Sequence, residues 1–216
     1  MAEGRENRDR LIVAGLFAVG LGILGGIYAW STNGVSAQSA NDPVDTGGPY
    51  LVIEVAPGAA GGAAGEVVID LREDAAPQHA ERLIRLAEDG AYDGVVFHRV
   101  IDGFMAQTGD VRFGRADGDL SRAGMGASEL PNLRAEFSRL PFDRGVVGMA
   151  RSQDPNSANA QFFIMFAPAP HLDGQYTVVG RVLEGMEVVD AITRGDPARN
   201  GMVAEPDRME QVTVRR

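Results

Sequence analysis

The chain contains no cysteine and no lysine, so every one of its 20 basic residues is an arginine. Without Cys there is no thiol nucleophile, no disulfide and no thiolate metal site. Without Lys there is no Schiff-base chemistry and no P-loop of the usual kind. Histidine is also scarce: His79, His98 and His171 are the whole set, and none of them pairs with another at helical metal-ligand spacing. A metal centre is therefore not expected, and no cofactor is implied. Basic runs are missing too. The formal charge is −10, and Arg5, Arg8 and Arg10 balance Glu3, Glu6 and Asp9 at the start, so the acidity belongs to the rest of the chain. Phosphates demand clustered positive charge, and a nucleic-acid partner is excluded. The absence of Cys suits an oxidising compartment.

What the chain does have is one long apolar run. Leu11 to Trp30 carries no charge, and a helix of that length would span ~30 Å, the thickness of a bilayer core. Arginines precede the run and none follows until Arg72. That asymmetry predicts residues 1–10 in the cytoplasm and everything after Trp30 outside, in the periplasm or beyond. The run exceeds the apolar core of an ordinary secretory signal, which favours a retained anchor. Val35-Ser36-Ala37 has the small-residue form of a cleavage site, which leaves a soluble periplasmic product open. Gly22 and Gly26 are spaced as in helix-pairing motifs, but Gly is common in membrane segments and needs no such role. Residues 31–49 are rich in Ser, Asn, Asp, Gly and Pro and read as a flexible linker.

From Tyr50 onward the pattern is of short strands. Leu51–Val55 and Val67–Leu71 read as a hairpin around the Gly/Ala-rich stretch Pro57–Gly65. Pro77 opens a helix that carries Leu83, Ile84 and Leu86 and stops at Asp89-Gly90. Val95–Ile101, Val146–Ala150, Phe162–Phe166, Tyr176–Val182 and Gln211–Val214 are further strand candidates. Met186, Val189 and Ile192 mark a second helix. Many short strands with two helices predict a mainly β domain over 50–216, a closed or nearly closed antiparallel barrel.

The chemistry is concentrated between Tyr92 and Gly109, YDGVVFHRVIDGFMAQTG. Read residue by residue, it is a strand with one Arg among bulky apolar side chains, a Gly turn, and then Phe104, Met105 and Gln107. An isolated Arg is most often a surface residue paired with an acid, and Phe104 with Met105 would ordinarily be core. Strand alternation turns His98 to the face opposite Arg99, as a structural histidine. The spacing of Tyr92, Val95, Phe97, His98, Arg99, Val100, Ile101, Phe104, Met105, Gln107 and Gly109 resembles the cyclophilin signature. Two further blocks resemble the same family: Gly145–Ala150 with Asn159–Ile164, and Leu172–Gly180 with Glu184-Gly185-Met186.

That resemblance implies a cyclophilin-like eight-stranded antiparallel barrel capped by two helices, with a groove on its outside. It implies peptidyl-prolyl cis/trans isomerase activity on proline-containing unfolded or extended polypeptides. Arg99 would be the catalytic cation, Gln107 its hydrogen-bonding neighbour, and Phe104 with Met105, Phe163 and Leu172 the proline pocket. Gln161 would support Arg99 or the peptide, Ala150 and Arg151 would meet the peptide backbone, and His171 and Tyr176 would border the groove. Arg151-Ser152 replaces the Asn-Ala pair of many members, His171 their Trp and Tyr176 their His. In the family that Trp packs on cyclosporin and donates an indole N–H, so cyclosporin binding is expected to be weak. The rival readings are a proline-peptide binding module without turnover and a hydrolase using His171 and Asp173. The latter lacks any serine in a nucleophile-elbow sequence.

Overall fold

The hairpin expected near residue 50 forms from β1 (Tyr50–Ala56) and β2 (Gly65–Leu71), with Leu51 opposite Ile69 and Ile53 opposite Val67. The structure, a computed structural model, describes residues 45–59 and 61–216. The expected cytoplasmic segment 1–10, the apolar run 11–30, the Val35-Ser36-Ala37 site and the linker up to residue 44 lie outside the described residues. Among the described residues, no helix is long and apolar enough to cross a membrane.

Helix α1 (Pro77–Glu88) begins on Pro77, whose missing N–H is no loss in a first turn. Its amphipathic face buries Ala80, Leu83, Ile84, Leu86 and Ala87 against the sheet. Then follow β3 (Val95–Val96), β4 (Arg99–Ile101), β5 (Met105–Thr108), β6 (Val146–Met149), β7 (Phe162–Met165) and β8 (Val178–Glu184). Helix α2 (Met186–Ala191) and β9 (Arg208–Arg215) complete the order. The strands pair antiparallel throughout, in the order β3-β9-β1-β2-β8-β6-β7-β5-β4.

Two expectations need correction. Val95–Ile101 is not one strand: it breaks at Phe97-His98, and its halves pair at opposite ends of the sheet, β3 with β9 and β4 with β5. Met105–Thr108 is a strand that its composition did not announce. With both changes the seven strand candidates become nine strands among the described residues, one more than the eight that the family resemblance implies. The break has a physical reason. One segment is the seam of the curled sheet, and a straight strand cannot pair with both ends. Loops cover the outer side of each half, with Val96 N–H donating to Gly114 O at 2.7 Å and Val100 N–H to Gly201 O at 2.7 Å.

Strand alternation then sorts the side chains into two clusters. Val100, Ala106, Val147, Phe162 and Ile164 point into the main core with Leu51, Ile53 and Leu83. Their sequence neighbours Met105, Val146, Phe163 and Met165 point outward and form a second buried cluster with Phe142, Leu172 and Val178. The outer face of β4, β5, β7 and β6 is thus apolar, and Arg99 lies on it.

Candidate active site

Three neighbouring strands place the polar residues of this outer face. Arg99 on β4 is opposite Gln107 on β5, and Gln107 is opposite Phe163 on β7. The Arg99 guanidinium donates through Nη1 to Gln107 Oε1 at 3.1 Å. Gln107 Nε2 donates to Gln161 Oε1 at 2.9 Å. Gln161 Nε2 in turn donates to Gly124 O at 3.1 Å and Gly126 O at 2.8 Å. The bonds run in one direction, from Arg99 through Gln107 and Gln161 to the loop carbonyls, so all three side chains are oriented by them.

The other edge of the guanidinium meets a residue that the sequence pattern did not single out. Nε donates to Asn200 O at 3.0 Å and Nη2 to Asn200 Oδ1 at 3.1 Å. Arg99 therefore has neutral amide partners and, among the described residues, no carboxylate partner. This differs from the surface ion pair that a lone Arg usually makes. Three of its five N–H groups are engaged, which leaves one on each Nη for a ligand. Partial burial pushes its pKa down, but a guanidinium stays charged at any working pH.

A pocket of about 200 Å³ opens beside Arg99 and Gln107. Phe104, Met105, Phe163 and Leu172 give it apolar walls, and Ala150, Arg151 and Tyr176 close the far side. The Phe163 ring is fixed by Phe142 at 5.8 Å and by the Tyr176 edge at 5.9 Å. Arg151 stacks over Tyr176 at 4.3 Å and is tied to Gln175 O at 2.9 Å, so it forms part of the wall. Ala150 N–H is already committed to Gln161 O at 2.9 Å, which leaves its carbonyl as the backbone group it would offer a peptide. A second, more polar cavity of about 380 Å³ shares Gln107, Ala150 and Arg151 with the first and runs past Gln161 and Asn159. The two cavities adjoin along that shared wall.

Two expected residues do not line the first pocket, although Gln161 lines the second cavity. Gln161 stands behind Gln107 and reaches Arg99 only through it. His171 is exposed at the rim, stacked on Phe104 with ring centroids 5.8 Å apart. Asp173, two residues on, accepts the Phe142 N–H at 2.8 Å and, among the described residues, makes no hydrogen bond with His171, so the pair that the hydrolase reading needs does not form. His98 is not turned to the face opposite Arg99, because the strand breaks there: it is buried against Gly124 and lines a cavity with Arg99, Gln107 and Asn200, and desolvation pushes its pKa down to about 4, so it is neutral at pH 7.

The support behind the groove comes from two further residues. Asn159 is buried and staples the Ser128–Asn132 stretch, accepting from Ser128 N and donating to Leu130 O. Asp110 is buried and accepts four backbone N–H groups, from Arg112, Phe113, Gly124 and Gly126. It thereby shapes the loop whose carbonyls hold Gln161. No local pattern marks Asp110. Asn200 had one signal, the Asn-Gly pair Asn200-Gly201 that marks a turn with positive φ.

Residues 56–214 match the family model described as cyclophilin type peptidyl-prolyl cis-trans isomerase/CLD. A probable peptidyl-prolyl cis-trans isomerase of Brucella suis is 50% identical over 188 residues, covering 86% of this chain and 90% of that protein. A peptidyl-prolyl cis-trans isomerase of Arabidopsis thaliana is 35% identical over 150 residues, covering 69% of this chain and 90% of its own length. Among solved structures, a cyclophilin from Hirschia baltica aligns with a TM-score of 0.61 at 26% identity, over 76% of this chain and 73% of that one. A Cryptosporidium parvum cyclophilin type isomerase, crystallised in the presence of the dipeptide Ala-Pro, aligns with a TM-score of 0.63 at 22% identity. That alignment covers 77% of this chain and 99% of the other, and it speaks for the fold alone.

Proposed function

Because the chain belongs to the cyclophilin-type peptidyl-prolyl cis-trans isomerase family, we propose a mechanism in which Arg99 drives the rotation of an X–Pro bond held in the groove. The substrate is a proline-containing segment of an unfolded or extended polypeptide. Rotation is slow because amide resonance resists twisting, with a barrier of ~18–20 kcal/mol. In the twisted state conjugation is lost, and the proline nitrogen becomes pyramidal and carries a lone pair. A charged N–H aimed at that nitrogen is favourable in the twisted state and idle in the planar one, which is the condition for catalysis. Arg99 supplies the N–H, while Phe104, Met105, Phe163 and Leu172 hold the ring and keep water off. No bond breaks, so the reaction asks for no nucleophile and no proton relay. The observation that carries this reading is an un-neutralised guanidinium, held by amide groups, on the wall of an apolar pocket.

The test is an isomerisation assay of the purified chain on an Ala-Pro peptide. Turnover should be clear, and kcat/KM should stay nearly flat from about pH 6 to 9, because Arg99 remains charged and His98 remains neutral. Cyclosporin titrated in the same assay should inhibit weakly, since His171 offers less apolar area than an indole and stands at the rim. Binding without turnover would identify a recognition module instead, and a steep bell-shaped profile would mean that proton transfer contributes.

We place the domain on the far side of a membrane from the cytoplasm, tethered by residues 11–30 or released near Ala37. The support is the charge-free run behind arginines. Cell fractionation with N-terminal sequencing checks it, and a full-length chain free in the cytosol would overturn it.

A further inference from the structure

We propose that Asn200 is a positioning residue for Arg99, holding the guanidinium in its working orientation without neutralising it. The proposal rests on the reading of Arg99 as the catalytic cation. Among the described residues, Asn200 is the only non-glycine with positive φ, at 56°. Most side chains avoid that region, and Asn is one of the few that tolerate it.

The turn that forces this conformation is itself well held. Asp196 Oδ1 accepts the Ala198 N–H at 2.8 Å, and Gly201 N–H returns to Asp196 O at 2.9 Å. The left-handed residue directs its carbonyl and its side-chain oxygen at one edge of the same guanidinium, meeting Nε and Nη2. A planar fork gripped along one edge is fixed in plane and in rotation. Gln107 on Nη1 adds the third point.

The holder is also fixed relative to β4. Val100 N–H donates to Gly201 O at 2.7 Å and Gly195 N–H to Val100 O at 2.9 Å. A Cβ at Gly201 would come within 2.5 Å of Ile101 Cγ1, so the turn lies flush on the strand. An arginine next to a pocket has many rotamers, and only some present the free N–H groups to it. A carboxylate at position 200 would hold the guanidinium equally well but would offset its charge. An amide with a carbonyl holds it and leaves the full charge for the twisted state.

Asn200→Gly separates these roles, because Gly adopts φ 56° freely and keeps the backbone acceptor while losing Oδ1. The expected result is an unchanged thermal midpoint and a kcat/KM lowered about tenfold, mostly in kcat, because Arg99 binds the twisted state best. In a ¹⁵N spectrum the Arg99 Nη resonances should broaden or exchange faster with water, since Nη2 loses its acceptor while Nε–H keeps Asn200 O. On an Arg99→Ala background, Asn200→Gly should have no further effect, since it acts only through Arg99. Unchanged kcat/KM, an unchanged resonance, or an equal loss on both backgrounds would each overturn the assignment. If Arg99→Ala itself stayed active, the reading of Arg99 would fall and this inference with it. An inactive Arg99→Ala beside a normal Asn200→Gly would remove this inference alone.

Discussion

Replacing Arg99 with alanine is expected to leave the protein folded and to lower kcat/KM by about a hundredfold or more, on the order of 3 kcal/mol of transition-state stabilisation. The fold should survive because Arg99 supports no core contact: its partners are Gln107 and Asn200, both near solvent. The activity should not, because the remaining wall is apolar or already hydrogen-bonded. Gln107 and Gln161 are engaged with each other, and Arg151 is tied to Ser152 O and Gln175 O. Arg99→Lys should restore only part of the rate, since a point charge cannot use the three-point grip that orients the planar fork. Circular dichroism with the isomerisation assay decides the matter. A folded Arg99→Ala protein turning over at a near-normal rate would sink the mechanism.

The second large effect concerns stability. Asp110 is fully buried, and its carboxylate accepts four backbone N–H groups, two on each oxygen. Asp110→Ala would strand all four, and each unpaired buried group costs about 1–3 kcal/mol, partly relieved if water enters. A total loss of roughly 4 kcal/mol is expected, a large share of the ~5–15 kcal/mol that holds a typical domain together. Asp110→Asn should cost about half as much, because its amide nitrogen would face N–H donors on one side while the other oxygen keeps its two bonds. Denaturant titration reads both values. The same variants should also lose activity, since Gly124 O and Gly126 O are the acceptors that orient Gln161. A shift below about 1 kcal/mol for Asp110→Ala would show that the loop is held by other means.

What the sequence made legible was whatever repeats locally. The hairpin of β1 and β2, the Pro77 start of α1 and the Met186 start of α2 are written in alternation, helical spacing and capping residues. The apolar pocket beside Arg99 was legible for a different reason: the family resemblance brought its residues together from the signature segment and two short blocks. What stayed hidden depends on pairing across long separations. Val95–Ile101 reads as one continuous strand, and only the closure of the sheet shows why it must break at Phe97-His98. Arg82 is buried on α1 and donates to Pro131 O and Asn159 O, partners that no spacing along the helix reveals. Asp110 and Asn200 act on groups far along the chain or on backbone N–H groups, and neither contact leaves a trace in residue spacing.

The seam of the sheet has a consequence for the company this enzyme keeps. The clients proposed for it are unfolded chains, rich in strand-forming segments that add readily to any open sheet edge and seed aggregates. The two ends of this sheet are successive pieces of one segment, and the outer side of each is occupied by loop backbone from residues 114–115 and 195–202. An extended client chain therefore finds no vacant ladder to join at either end. It can lie in the groove through side-chain contacts and a few hydrogen bonds, and it can leave again. The closure that splits a strand also lets the protein handle sticky polypeptides without being recruited into their aggregates.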